Sequence, residues 1–205
     1  MPKTKVLNSQ AGYDLAAFDY DKKESYLDSF EKDKLLPLLG DLKGKKVLDV
    51  GAGTGRITLR LAKLGAEVTA LDVSEKMLEE IKKKLKRNLT EINLVAGDCE
   101  SMSFEDDSFD IVVSAFHIVH LKDLKRFFDE VYRVLKPDGK FLVTNINQKR
   151  PPEIKTKDGM IEIESFYHRP EKVREVLEEL AFGIEKEVFV REGEVWVNQI
   201  LLATK

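Results

Sequence analysis

The sequence predicts an α/β fold with a seven-stranded, mostly parallel sheet, helices on both faces and a C-terminal antiparallel hairpin. Two observations predict it. Short runs of aliphatic and β-branched residues alternate with longer segments of helical period, which is the pattern of a parallel sheet covered by helices. A glycine-rich loop directly follows the first of these runs. The length of 205 residues is usual for one domain, so we predict a single domain over 1–205.

The predicted strands are the short apolar runs. They cover 46–50, 67–71, 92–96, 109–114, 140–145, 184–190 and 195–203. Segments of helical period separate the first five, as expected when neighbouring strands are parallel. The last two meet at Glu192-Gly193, a turn sequence, and are predicted to form the antiparallel hairpin.

The predicted helices are indicated by their caps and by apolar residues that recur on one face. Gly65 is expected to close the first helix after the glycine loop, and Ser74 to cap the next. A later helix is expected to end at the turn Pro137-Asp138-Gly139, and Pro170 to begin the last one. The three apolar faces are Met77, Leu78, Ile81 and Leu85; Leu124, Phe127, Phe128, Val131 and Leu135; and Val173, Val176, Leu177 and Leu180.

Composition excludes several classes of protein. Basic and acidic residues, 34 and 37 in number, are mixed along the chain and leave a net charge of −3, so the composition gives no support for a nucleic-acid partner. The longest apolar run, 111–119, is far shorter than the roughly 20 residues that cross a bilayer, so no membrane span is expected. Residues 1–10 lack the apolar segment of a secretory signal, and Cys99 is the single cysteine. We therefore predict a cytoplasmic protein with no disulfide and no metal site.

The strongest motif is the loop Asp49-Val50-Gly51-Ala52-Gly53-Thr54-Gly55-Arg56, which leads from the first strand into a helix. Glycine lets the backbone turn tightly and approach a ligand without a Cβ in the way. Several classes of nucleotide-binding protein share such a loop. Arg56 stands where the dinucleotide fingerprint has its third glycine, and this spacing disfavours an NAD site.

Asp72 follows the loop by about 20 residues and ends the second predicted strand. A carboxylate at this position can accept hydrogen bonds from both ribose hydroxyls of an adenosine. The alternative is an ordinary carboxylate at a strand end. Val73 and Met77 would flank an adenine with apolar surface, although Met77 also fits the apolar face of its helix.

Further motifs follow the third strand and the helix after the fourth. They are Gly97-Asp98-Cys99-Glu100, then Phe104 with Asp107-Ser108-Phe109-Asp110-Ile111-Val112-Val113, and Val131-Tyr132-Arg133-Val134-Leu135-Lys136-Pro137-Asp138-Gly139-Lys140. With the glycine loop they make 45–145 resemble the class I S-adenosylmethionine-dependent methyltransferase superfamily, near the small-molecule group that includes ubiquinone/menaquinone-biosynthesis methyltransferases. One departure is Ser103, where that family often has proline.

The resemblance implies a Rossmann-like fold, S-adenosylmethionine as cofactor and a small-molecule methyl acceptor. It places Asp49 at the methionine amino group, the loop residues against the methionine and ribose, and Asp72 at the ribose. Asp98 would accept from the adenine amino group, the Cys99 amide would reach the adenine ring, and the Ser114 carbonyl would face the ammonium. The implied cofactor-binding set is Asp49, Gly51, Ala52, Gly53, Gly55, Asp72, Val73, Met77, Asp98, Cys99, Ser114 and Tyr20.

A catalytic base is optional in methyl transfer from a sulfonium, because positioning supplies much of the acceleration. If the acceptor must lose a proton, the candidates are His117 and His120, just beyond the fourth predicted strand. Histidines packed in a loop explain the same positions equally well. Two other classes of function stay open, an NAD-dependent oxidoreductase and a non-catalytic module that binds S-adenosylmethionine.

Two segments break the alternation of strands and helices. Residues 1–42 are predicted to form an N-terminal cap, and 146–169 a substrate-side insertion. Tyr13, Tyr20 and Tyr26 in the first could lie over the cofactor, where aromatic rings favour a cation, or could simply pack an amphipathic helix. The second segment is basic, which could favour an anionic acceptor or indicate only a solvated loop; its basic residues are Lys149, Arg150, Lys155, Lys157, His168 and Arg169.

Overall fold

The computed structural model of the chain describes residues 5–31, 33–85, 92–156 and 159–205. Ten strands and six helices lie in these ranges, joined in places by short 3-10 turns at Asp21–Lys23, Leu36–Leu38 and Ile118–His120. In chain order they are β1 (Lys5–Leu7), α1 (Ser9–Tyr20), α2 (Glu24–Glu31), β2 (Lys46–Val50), α3 (Arg56–Lys63), β3 (Glu67–Asp72), α4 (Glu75–Leu85), β4 (Asn93–Ala96), β5 (Phe109–Ser114), α5 (Leu124–Val134), β6 (Leu135–Ile146), β7 (Glu153–Thr156), β8 (Gly159–Ile163), α6 (Pro170–Glu179), β9 (Gly183–Glu192) and β10 (Val195–Thr204).

Seven strands form the main sheet in the order β4-β3-β2-β5-β6-β10-β9. Neighbours from β4 to β6 are parallel, whereas β10 is antiparallel to both β6 and β9. Apolar cores cover both faces. One contains Phe127, Phe128 and Val173 from α5 and α6, and the other contains Ile57 and Leu61 from α3. The predicted α/β fold, its sheet and its C-terminal hairpin are confirmed.

Caps and turns act largely as predicted. Gly65 follows the end of α3 in the left-handed region, with φ +89°. The Ser74 hydroxyl accepts a hydrogen bond from the Met77 amide at the start of α4, at 3.2 Å. Gly193, with φ +57°, lies in the turn between β9 and β10.

The predicted end of α5 at Pro137 is wrong. The helix ends at Val134, and β6 begins at the next residue. Phe109 of β5 pairs with Leu135 and Ile111 pairs with Lys140, so four residues of β6 bulge out of register. The Pro137-Asp138-Gly139 turn therefore lies inside the strand, with Asp138 at φ +61°. It forms a bulge, and β6 pairs with β5 on both sides of it.

A second sheet, which the sequence did not predict, joins the two added segments. Its order is β1-β8-β7, with β1 parallel to β8. Helix α1 packs on it, since a Cβ built on Gly12 would lie 2.6 Å from Cγ1 of Ile163. Ala16, Ile154 and Ile161 complete this small core. The N-terminal cap and the insertion are therefore one packed unit rather than two separate additions.

The carboxyl ends of the parallel strands meet at one edge of the main sheet. There β2 leads into the glycine loop, β3 ends at Asp72, β4 leads to Asp98 and β5 leads to His117. Helix α1 lies over this edge and contacts α4. Within the described ranges, the helices are too short or too polar to cross a membrane.

Candidate active site

A cavity of about 490 Å³ opens at this edge, between the strand ends and the cap. Its size falls in the range of about 300–1,000 Å³ that is usual for small-molecule sites. Of the predicted cofactor-binding residues, ten line it: Asp49, Gly51, Ala52, Gly53, Asp72, Val73, Met77, Asp98, Cys99 and Tyr20. Gly55 and Ser114 do not line it. Gly55 instead begins α3, where a Cβ would lie 2.9 Å from the Ile81 side chain.

The glycine loop needs glycine for two different reasons. Gly51 has φ +71°, and a Cβ there would lie 2.6 Å from the imidazole carbons of His117. Gly53 has φ +55°, but a Cβ there would meet no atom within 4 Å. Gly51 is thus required by the protein's own packing. Gly53 leaves free space at the cavity, as a backbone that a ligand approaches closely would do.

Asp49 is a buried carboxylate at the end of β2, 2% exposed. The Thr58 hydroxyl donates to its Oδ2 at 2.5 Å. Burial raises the pKa of Asp49 to about 6, against the Thr58 hydrogen bond and the positive charge of Arg56. A cationic group bound beside it would favour the ionised carboxylate.

Asp72 holds two segments of the site together. Its Oδ2 accepts from the Gly53 amide at 2.8 Å, and its Oδ1 accepts from the Ser74 amide at 2.9 Å. The carboxylate therefore fixes the glycine loop against the start of α4. Burial raises its pKa although these hydrogen bonds oppose the effect. Each oxygen keeps a second lone pair, so the carboxylate can still accept hydrogen bonds from a ligand.

Asp98 and Cys99 lie on the loop after β4. The Asp98 carboxylate accepts from the Glu100 amide at 2.9 Å and shapes this turn. The Cys99 thiol is buried, which raises its pKa strongly, so it is neutral and a poor nucleophile. Val73 and Met77 supply apolar surface to the same cavity.

His117 and His120 both line the cavity, but their surroundings differ. The His117 ring lies against Gly51 and edge-to-face with Phe127 at 5.2 Å, and its Nδ1 is 3.1 Å from the Ser114 hydroxyl. Burial, with a smaller effect of His120, lowers its pKa to about 3. Such a weak base is poorly matched to proton transfer near neutral pH. The structure therefore favours a packing role for His117.

His120 is hydrogen-bonded through both ring nitrogens. Its Nδ1 is 2.9 Å from the Glu164 carbonyl oxygen and its Nε2 is 2.7 Å from the Tyr13 hydroxyl. Because a carbonyl only accepts, Nδ1 carries the proton and Nε2 accepts from Tyr13. Burial lowers the pKa of His120, so this neutral tautomer is favoured.

The three tyrosines of the N-terminal segment separate into two groups. Tyr13 and Tyr20 line the cavity, with ring centroids 5.6 Å apart in an edge-to-face arrangement. Burial raises the pKa of both. Tyr26 is 64% exposed and packs edge-to-face on Phe30 instead. The suggestion that Tyr26 lies over the cofactor is therefore wrong.

The sequence motif marks Arg56 only as the residue that stands in place of a glycine, and it does not predict the role of Arg56 in the site. Its Nη1 donates to Asp28 at 2.8 Å and to Glu31 at 2.7 Å, and its Nη2 donates to Glu31 at 2.9 Å. The guanidinium also lies 5.1 Å from the Phe116 ring centroid. These contacts attach α2 to the end of the glycine loop. The spacing of Asp28 and Glu31, three positions apart on one face of α2, is the sequence signal that could have indicated this pairing.

Two further polar contacts attach the cap to α4. The Lys84 ammonium donates to Asp21 at 2.8 Å and to the Thr54 carbonyl at 2.7 Å. The Ser74 hydroxyl donates to Asp14 at 2.5 Å. The acids come from the cap and their partners from the helices that flank the cavity, so the cap closes directly over the site.

The basic residues of the insertion do not form an anion site at the cavity. His168 is buried, burial lowers its pKa, and its Nε2 donates to the Leu121 carbonyl at 2.8 Å. Lys149 lies over the Tyr167 ring, at 5.6 Å. None of the described basic side chains of the insertion lines the cavity, and Lys157 lies outside the described residues. No cluster of three or more metal-ligating side chains occurs in the part of the chain that the structure describes.

Comparison with known proteins identifies the core of this fold. Residues 48–143 match the family model described as a methyltransferase domain. This part of the chain is a class I S-adenosylmethionine-dependent methyltransferase domain. The resemblance read from the sequence motifs is thereby confirmed.

The methyltransferase domain has curated relatives in quinone biosynthesis. Demethylmenaquinone methyltransferase of Tropheryma whipplei (strain Twist) is 38% identical over 115 residues, which cover 55% of this chain and 46% of the relative. The ubiquinone/menaquinone biosynthesis C-methyltransferase UbiE of Zymomonas mobilis is 34% identical over 120 residues, 58% of this chain and 50% of the relative. The chain spans about half the length of these curated relatives.

Solved structures extend the likeness of the methyltransferase domain to most of the chain. An S-adenosylmethionine-dependent methyltransferase from Mesorhizobium loti has a TM-score of 0.73 at 21% identity, covering 87% of this chain and all 100% of that one. The PH0226 protein of Pyrococcus horikoshii OT3 has a TM-score of 0.73 at 25% identity, covering 91% and 93%. Magnesium protoporphyrin IX methyltransferase of Synechocystis, solved with bound SAH, has a TM-score of 0.67 at 18% identity, covering 89% and 82%. These likenesses show the fold.

Proposed function

We propose that the chain binds S-adenosylmethionine in the cavity and transfers its methyl group to a small-molecule acceptor. The observation that carries the proposal is the meeting of Asp49, Gly53, Asp72 and Asp98 at one cavity of about 490 Å³, in a domain of the methyltransferase family. These residues come from the ends of three strands, β2, β3 and β4. The parallel pairing of these strands brings them to one edge of the sheet.

The residues fit the polar groups of this cofactor. Asp49 would pair with the methionine ammonium, Asp72 would accept from the ribose hydroxyls and Asp98 from the adenine amino group. Val73 and Met77 would pack on the adenine. A Cβ built on Gly53 would have no atom within 4 Å, so there is room for a ligand beside the loop backbone. The three carboxylates also balance the positive charge of a sulfonium better than a neutral site would.

S-adenosylmethionine supplies a methyl group that is already activated on a positively charged sulfur. The chain's own contribution is to hold donor and acceptor in line and to exclude water. Such positioning can supply about 7–11 kcal/mol in favourable cases. The cap residues Tyr13, Tyr20 and Leu27 cover the cavity and would keep water away from the reacting atoms.

A small acceptor is favoured over a macromolecule by the same cap. The one cation that lines the cavity among the described residues is Arg56, and Asp28 and Glu31 already pair with it. A phosphate backbone would thus find no unpaired cation there. The names of the curated relatives indicate small-molecule acceptors, among them demethylmenaquinone. The acceptor here is proposed to be a neutral or cationic metabolite, and the cytoplasmic location stays a prediction.

Calorimetry and a transfer assay test this function on one preparation. S-adenosylhomocysteine is titrated into the protein with a chelator present, and transfer of labelled methyl from S-adenosylmethionine is then measured against a panel of small metabolites. Binding and transfer to at least one metabolite are expected. No binding at millimolar concentration contradicts the cofactor assignment. Binding without transfer to any metabolite would favour the non-catalytic module instead.

A further inference from the structure

Three parts of the chain that lie far apart in sequence meet at one imidazole. His120 comes from the turn after β5, Tyr13 from α1, and Glu164 from the segment after β8. The hydrogen bonds are 2.7 Å from the Tyr13 hydroxyl to Nε2 and 2.9 Å from Nδ1 to the Glu164 carbonyl. They run in one direction, from Tyr13 through His120 to the backbone. This order leaves the Nε2 lone pair pointing at the tyrosine hydroxyl.

The pair belongs to the cofactor cavity, since Tyr13 and His120 both line it. The titratable groups that face it are Tyr20 and Asp72 on the Tyr13 side and His117 on the His120 side. His120 is neutral in this arrangement, and Tyr13 is a protonated hydroxyl. Both groups are therefore neutral. The imidazole can accept the proton of the tyrosine hydroxyl as that hydroxyl takes a proton from a bound molecule.

We propose that Tyr13 and His120 form a proton relay for methyl transfer, with the Tyr13 hydroxyl facing the acceptor and His120 receiving the proton. The relay rests on the proposed function and narrows the acceptor to a nucleophile that loses a proton, such as a hydroxyl or an amine. The acceptor atom forms its bond to the methyl carbon, and the S–C electron pair stays on sulfur. The acceptor's proton passes to Tyr13 Oη as the Tyr13 proton passes to His120 Nε2, so the positive charge moves from sulfur to the imidazole.

The relay exists only when the cap is closed. Asp14, the neighbour of Tyr13, accepts a hydrogen bond from the hydroxyl of Ser74, which precedes α4. Glu164 is held by the cap as well, because its amide donates to the Leu7 carbonyl at 2.8 Å. Displacing the cap would remove the Tyr13 hydroxyl from Nε2 of His120. The proton path therefore depends on the contacts that hold the cap in place.

The test compares three substitutions with the wild type. Tyr13→Phe removes only the hydroxyl, and His120→Asn keeps a donor near Nδ1 but removes the Nε2 acceptor. Tyr26→Phe is the matched control, because it makes the same chemical change in the same cap at a side chain that is 64% exposed. Each protein is assayed for melting temperature, for S-adenosylhomocysteine affinity and for kcat at saturating S-adenosylmethionine, with the acceptor found by the metabolite panel.

Tyr13→Phe and His120→Asn should each lower kcat about 100-fold, the ordinary size of general acid–base catalysis, while S-adenosylhomocysteine affinity changes less than threefold. The kcat of the double variant should lie within threefold of the kcat of the slower single variant, because both groups act on the same proton transfer. Tyr26→Phe should match the wild type. A fall in kcat of less than tenfold for Tyr13→Phe, or a parallel loss of affinity, overturns the relay.

The pH profile separates a proton relay from packing. Wild-type kcat should fall as pH drops through the pKa of His120, which burial holds below the ordinary 6.5. His120→Asn should lack this acidic limb. An unchanged limb overturns the relay even if kcat is lower. A wild type that binds S-adenosylhomocysteine but methylates nothing overturns the relay together with the proposed function, whereas an active wild type with an equally active Tyr13→Phe overturns the relay alone.

Discussion

Asp49 is a carboxylate whose charge the protein alone compensates poorly. Its pKa of about 6 lies above the unfolded value of 3.8, so the folded chain favours the protonated acid. Its contribution to stability is therefore fully present below about pH 3.8 and is lost as pH rises through about 6. A cationic ligand reverses this preference, because it favours the ionised form.

The affinity for S-adenosylhomocysteine should accordingly fall roughly tenfold from pH 7 to pH 5, one unit below this pKa. Calorimetry across this range measures it. Asp49→Asn should bind more weakly and without this pH dependence. If the variant keeps the full dependence, another group titrates and Asp49 does not face the ammonium.

Asp72→Asn should weaken S-adenosylhomocysteine binding by about 10- to 100-fold, which is one or two steps of 1.4 kcal/mol. The side-chain nitrogen of the new asparagine cannot accept a hydrogen bond from the Gly53 or Ser74 amide. One of these two hydrogen bonds is therefore lost, and the ligand loses a charged acceptor. Asp106→Asn, a change of the same kind at a side chain that is 73% exposed, is the control. Equal affinities for the two variants would mean that the ribose is held elsewhere.

At this scale, the sequence predicted the carboxylates but not the pairing of His120. Asp72 follows the glycine loop at the spacing expected of a ribose-binding carboxylate, and the resemblance to the methyltransferase family adds Asp49 and Asp98. Tyr13 and His120 are 107 positions apart, and no local pattern joins them. The burial that makes His117 such a weak base likewise comes from Gly51 and Phe127, which only the folded chain brings to the ring.

Among the elements, α2 and α3 are joined by a buried ion pair. The side chains of Arg56 and Glu31 are only 11% and 4% exposed. Arg56→Met should lower the free energy of unfolding by about 3 kcal/mol, because it leaves the Glu31 charge buried without its partner. Urea unfolding measures this. The double variant Arg56→Met/Glu31→Leu should recover at least half of the loss, and no recovery would show that the guanidinium acts by packing on Phe116.

The seven strands of the main sheet were predictable because each is an apolar run, and the structure shifts their ends by a few residues. The small sheet was not predictable. β1 has three residues, too few for an alternating pattern, and it pairs with a strand far along the chain, where Lys5 lies opposite Ile161. The end of α5 was misplaced for a related reason. Pro137-Asp138-Gly139 does turn the chain, but the pairing of β6 with β5 decides that the turn lies inside a strand.

For the whole molecule, a ligand that binds only the folded chain raises its stability by mass action. S-adenosylhomocysteine at about 100 times its Kd should add roughly 2.7 kcal/mol. For a chain of 150–250 residues, this corresponds to a rise in melting temperature of roughly 5–10 °C. NADH at the same concentration should add nothing. Stabilisation by NADH instead would revive the oxidoreductase, which the Arg56 spacing disfavours.

The pairing of β1 with β8 also sets an order in time. Residues 5–7 leave the ribosome long before residues 159–163, which supply their hydrogen-bonding partners. Contacts between distant segments form slowly, because the intervening chain must first lose its freedom. The glycine loop and its neighbouring strands need no such wait. A nascent chain can therefore pair the strands around the glycine loop before β8 has been made, whereas the cap that covers the cavity cannot pair with β8 until residues 159–163 have been made.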